Sequence, residues 1–131
     1  MTKQQTTTKQ IAIGIGCSSS ATSADILTLI RTSISSIPSD AVLATLDRRS
    51  PIAESVAETL NLRLILFPAA SLAQVHGVLA SSPIALAETG TANVAEAAAL
   101  AALGPRAMLL IPRQTGHLCT CAVAILPEEP A

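Results

Sequence analysis

Apolar residues fall along this chain in an alternating rhythm: short continuous runs are followed by longer stretches in which they recur every three or four positions. Continuous runs are what strands covered on both faces require, and the longer spacing is that of helices with one buried stripe. Strands are expected at 11–16, 41–46, 62–67 and 84–87. A pair at 107–111 and 118–125 follows, joined by residues 112–117. That gap is too short for a crossover helix, so the last two strands should form an antiparallel hairpin.

Between the strands the punctuation is helical. A polar loop through Thr22 leads into a helix from Ser23, with Ile26, Leu27, Ile30, Ile34 and Ile37 as its buried stripe. Ser50 is placed to cap a second helix with Pro51 in its first position, where the missing N–H costs nothing, and Asn61 is placed to end it. Ser71 reads as the cap of a third helix reaching Ala80. Asn93 as N-cap, Glu96 three residues on, an alanine-rich body, Gly104 and then Pro105 mark a fourth.

Strand and helix in alternation predict an α/β fold of three layers, α/β/α, with a mostly parallel sheet of about six strands and an antiparallel last strand. Residues 1–9 are nearly all Thr, Gln and Lys and read as a disordered tail. Residues 10–126 read as a single domain and 127–131 as a second tail.

Composition narrows the picture. Half of the 131 residues are apolar, yet there is one Phe and neither Trp nor Tyr, so Ala, Leu, Ile and Val must fill the core, and small side chains allow close helix-to-sheet packing. A formal net charge of −1 with scattered Lys and Arg leaves no basic stripe and no stacking platform for nucleic acid. No apolar run approaches the ~20 residues of a membrane span. Lys3, Lys9 and the apolar run before Cys17 imitate a lipoprotein signal, but about six apolar residues fall short of the ~7–15 of such a signal. Three cysteines, an odd number, suit reduced thiols in a cytoplasm better than a disulfide framework.

Ligands of open parallel sheets bind beyond the carboxyl ends of the strands. Three polar segments fall at such ends: Gly14 to Thr22, Asp47 to Ser50, and Glu88 to Asn93. The first offers Gly14, Gly16, Cys17, Ser18, Ser19 and Ser20, glycines for close backbone approach and hydroxyls beside a helix N-terminus that favours anions. It reads equally as a tight turn with capping serines. Asp47, Arg48 and Arg49 could grip a carboxylate or form a solvated turn. Thr89, Gly90 and Thr91 make a second cradle ahead of Asn93. Glu96 is explained as a capping residue. Cys119 and Cys121 share a strand face without a metal-binding spacing, His76 and His117 complete no ligand set, and neither a metal nor a cofactor is indicated.

Several segments, in this order, resemble the cobalamin-biosynthesis family that comprises free-standing CobE and the C-terminal domain of cobalt-precorrin-5A hydrolase, CbiG. They are Gly14-Ile15-Gly16-Cys17, Leu43-Ala44-Thr45-Leu46-Asp47-Arg48, Thr89-Gly90 leading into Asn93-Val94-Ala95-Glu96, Leu109-Leu110-Ile111-Pro112-Arg113 and Thr120-Cys121-Ala122-Val123-Ala124. The resemblance implies cytoplasmic vitamin B12 synthesis and a precorrin-type tetrapyrrole as ligand. Its carboxylates would meet Gly14, Gly16, Cys17, Ser18 to Ser20, Arg48, Thr89 to Thr91, Asn93 and Arg113.

The fused hydrolase opens a lactone and releases acetaldehyde. Glu96 or Asp47 would activate water in such a reaction. Its additional N-terminal portion has no counterpart in this sequence, which implies binding or delivery without hydrolysis alone. A third reading is a module that docks onto another pathway enzyme, with residues 113–117 as its surface. Ser18 to Ser20 stand where the family often has basic or small residues, and Arg48 and Arg113 where lysine is more usual.

Overall fold

In the computed structural model, which describes residues 10–76, 78 and 93–127, the elements follow the expected rhythm. They are β1 (Gln10–Cys17), α1 (Ser23–Ser33), β2 (Val42–Leu46), a 3-10 turn (Asp47–Arg49), α2 (Ser50–Leu60), β3 (Arg63–Phe67), α3 (Ala69–Leu72), α4 (Val94–Leu103), β4 (Met108–Thr115) and β5 (Cys119–Leu126). Among the described residues the sheet has five strands in the order β3-β2-β1-β5-β4. The strand expected at 84–87 lies outside them, as do Thr89, Gly90 and Thr91. β1, β2 and β3 are parallel, and β5 runs antiparallel to both β1 and β4. Only the last strand is therefore reversed, and the carboxyl ends of β1, β2, β3 and β4 share one edge.

Strand alternation sends successive side chains to opposite faces. On one face Ile11, Ile13, Ile15, Leu43, Cys121 and Val123 pack with Ile26, Leu29 and Ile30 of α1 and Ala53, Val56 and Ala57 of α2. The other presents small residues to α4: Gly14 of β1, Ala44 of β2 and Ala124 of β5. A Cβ on Gly14 would fall 1.9 Å from the Ala95 carbonyl oxygen and 2.7 Å from the Ala99 nitrogen, so the helix backbone rests directly on β1.

Local chemistry accounts for the ends. Thr22 and Asp25 form a reciprocal capping box at α1. Asn61 closes α2 in the left-handed conformation, φ 58°, which asparagine tolerates. Gly104 ends α4 at φ 96° and ψ −176°, a region open essentially to glycine alone.

Four expectations are corrected. Ser50 is not a cap but the first residue of α2, because the 3-10 turn runs straight into the helix; its hydroxyl pairs with Glu54 Oε2 at 3.4 Å. Ser71 lies inside α3, a single turn that starts after Pro68, whose extended backbone sets the entry. Ile34 and Ile37 reach the core from beyond the end of α1, where Leu29 completes the buried stripe. β4 continues through Pro112 and Arg113 to Thr115, so most of the expected loop is strand. An edge position and register shifts on either side of Ile111 accommodate the proline. The turn itself is His117-Leu118, closed by the Gly116 N–H donating to the Cys119 carbonyl at 2.8 Å, with Leu118 at φ 62°.

Candidate functional site

α4 runs against β1 with its N-terminus at the sheet's carboxyl edge. The contacts around Gly16 fix this: its added Cβ would meet Thr120 Oγ1 at 2.9 Å, Val94 Cβ at 3.5 Å and the Ala95 nitrogen at 3.7 Å. The N–H groups of the first helical turn therefore open beside the end of β1, the side that attracts anions. Asn93, buried, caps this turn by accepting from the Glu96 N–H through Oδ1 at 3.0 Å.

Hydroxyls hold the end of β1 in place. Thr45, fully buried in β2, donates to the Ile15 carbonyl at 2.6 Å, and Thr120 of β5 donates to the Gly16 carbonyl at 3.4 Å. Each such bond contributes about 1 kcal/mol net, and a buried Thr45 hydroxyl without its acceptor would cost more. From there the chain turns into Ser18, Ser19 and Ser20, all exposed; the Ser18 N–H donates to the Leu118 carbonyl and the Ser20 N–H to Ser18 Oγ.

At the end of β2, Asp47 and Arg48 are exposed and Arg49 is half-buried. Burial pushes the Cys17 thiol above its ordinary pKa, and the positive charge of Arg49 partly offsets the rise. Arg49 therefore acts electrostatically on the end of β1. Thr45 was likewise missed, although a lone hydroxyl in an apolar strand, one residue from its end, was the available signal.

Glu96 is fully buried, and its Oε2 accepts from the Arg113 N–H of β4 at 2.8 Å. The carboxylate thus ties α4 to the edge strand. The structure brings Gly16, Cys17, Ser18 to Ser20, Asp47, Arg48, Asn93 and Arg113 to one edge of the sheet. Gly14 stands further back, as the packing contact that seats α4. His76 belongs to the opposite end, where Gln74, Val75, Leu100, Ala101, Gly104, Pro105 and Ala107 line a cavity of about 300 Å³. Among the described residues no group of three or more His, Cys, Asp or Glu could hold a metal, and no helix is long and apolar enough to cross a membrane.

The class of protein is a mixed α/β fold, with a helix N-terminus, serines and arginines at one edge of the sheet. Comparison makes the assignment specific: residues 11–124 match the family described as cobalamin synthesis G C-terminus, and the chain belongs to that family. Its fold is similar to that of CobE, a protein from the cobalamin (vitamin B12) biosynthetic pathway, at 28% identity and a TM-score of 0.80, covering 93% of this chain and 94% of that one. It is also similar to the cobalamin biosynthesis protein chiG from Agrobacterium tumefaciens (25% identity, TM-score 0.62, 87% and 96% coverage). A cobalamin biosynthesis protein G homologue from Sulfolobus solfataricus shares the fold at 20% identity and a TM-score of 0.69, over 89% of this chain and 37% of the larger one. No curated protein matches the chain by sequence.

Proposed function

We propose that this chain binds a precorrin-type tetrapyrrole intermediate of cobalamin synthesis and acts as a carrier or accessory factor. Its supports are family membership and one geometric fact: the carboxyl ends of β1, β2 and β4 meet the N-terminus of α4 at a single edge. A precorrin presents many carboxylates around a broad apolar ring. Carboxylates suit the helix end, the hydroxyls of Ser18 to Ser20, and the guanidinium groups of Arg48 and Arg113.

Carriage is favoured over hydrolysis by the burial of Glu96. A general base must reach the water it activates, and this carboxylate is enclosed and bonded to the Arg113 N–H. Asp47, exposed at the end of β2, is the candidate base in the hydrolase reading.

Titration of the protein into precorrin or hydrogenobyrinic-acid-type pigments, followed by visible absorbance and gel filtration, tests the proposal. The expected result is a saturable spectral shift with co-elution, weakened at least tenfold in the Arg48→Ala, Arg113→Ala double variant. Absence of binding by the folded protein would overturn it and favour docking onto another pathway enzyme. Acetaldehyde release, lost in Asp47→Asn, would replace carriage by hydrolysis.

A further inference from the structure

Cys17 ends β1 and Cys119 begins β5, and the register sets the two directly opposite each other. In an antiparallel pair, hydrogen-bonded and non-hydrogen-bonded positions alternate. The Ser18 N–H donates to the Leu118 carbonyl, which makes 18 and 118 a hydrogen-bonded position and 17 and 119 the next, non-bonded one. There the Cα atoms stand about 4.5 Å apart and the side chains are closest. A disulfide requires Cα atoms about 4.4–6.8 Å apart, so the spacing sits at the short end of what a bridge accepts. Both side chains lie on the α1 face, where Cys119 is buried and Cys17 half-buried.

We propose that Cys17 and Cys119 constitute a thiol-modification site, a dithiol that exchanges with small-molecule disulfides of the glutathione type to close a reversible cross-strand bridge. Cys17, the more accessible thiol, loses its proton and attacks one sulfur of the small disulfide; a mixed disulfide forms and one thiol leaves. Cys119, deprotonated in turn, attacks the Cys17 sulfur and expels the second thiol. The net change is one dithiol and one small disulfide converted into one protein disulfide and two small thiols. Burial raises the pKa of Cys17 and the charge of Arg49 offsets this only in part, so the first step runs faster as the pH is raised. Cys121 stands opposite Ile15, diagonal to Cys17, and its S–H donates to Ser33 Oγ at 3.3 Å, which leaves it outside the pair. Cys17 is only half-buried, which leaves such a bridge open to attack by small thiols. The pair shares Cys17 with the rim of the tetrapyrrole reading but does not rest on that reading.

The test incubates the whole protein with glutathione disulfide, then unfolds and alkylates it for mass measurement. Alkylated cysteines should fall from three to one, with the loss of two hydrogens, a Cys17–Cys119 link in the peptide map, and full reversal by dithiothreitol. Cys121→Ser should still bridge; Cys17→Ser and Cys119→Ser should not. Three alkylated cysteines after prolonged exposure, or a link through Cys121 in the wild-type map, would overturn the assignment.

Discussion

The two faces of the sheet solve opposite packing problems. Towards α1 and α2 the strands carry Ile, Leu, Val and Cys, and large side chains keep the helices at a distance. Towards α4 they carry Gly and Ala, and the Ala-rich helix lies backbone to backbone on β1. The contrast explains how an α/β domain manages without Trp or Tyr: one face gains stability from volume, the other from proximity. It also explains why the polar rim lies where it does, because only close contact brings the first turn of α4 beside the end of β1.

The faces should therefore respond to opposite changes. Gly14→Val should be the most damaging substitution, costing about 3 kcal/mol or more in chemical denaturation, because its side chain would enter the backbone of α4. If Gly14→Val folded with wild-type stability, the close-contact account of that face would break. Glu96→Ala should follow at about 2 kcal/mol, since it leaves the Arg113 N–H without this acceptor. Glu96→Gln, which keeps an oxygen there, should recover part of the loss. On the wide face, Ile13→Val removes one methylene from a fully buried site and should cost about 1 kcal/mol, read from the shift in denaturation midpoint.

The smallest effect is a pH dependence. Burial, with added repulsion from Asp25, Cys17 and Cys121, pushes the Cys119 thiol up to about 11 from an ordinary 9.0. A raised folded pKa means that the folded state holds the proton longer than the unfolded one. This contribution is complete below pH 9.0 and is lost as pH rises towards about 11. The melting temperature should fall over that interval less steeply in Cys119→Ala than in the wild type. Equal slopes would remove Cys119 from the account.

Much of this architecture is legible in the residues themselves. β1, β2 and β5 appear within two residues of their ends because strands buried on both faces write continuous apolar runs, and β3 does so as an apolar run although none of its residues is fully buried. Asn93 and Gly104 bracket α4 because capping and left-handed termination admit few residue types. The second half of β4 was hidden: Pro112, Arg113 and Gln114 read as a turn, and only an edge strand with shifted register makes room for them. At the site, strand order alone located the edge. Glu96 looked like an ordinary capping residue until tertiary contact enclosed its carboxylate, and the influence of the Arg49 charge on Cys17 depends on how the 3-10 turn winds.

The most direct test of the rim is to follow backbone amide NMR signals while a hydrogenobyrinic-acid-type pigment is added. Shifts should concentrate at Gly16 to Ser20, Asp47 to Arg49, Asn93 to Glu96 and Arg113. Shifts confined to the opposite end, around Gly104 to Ala107, would contradict the account.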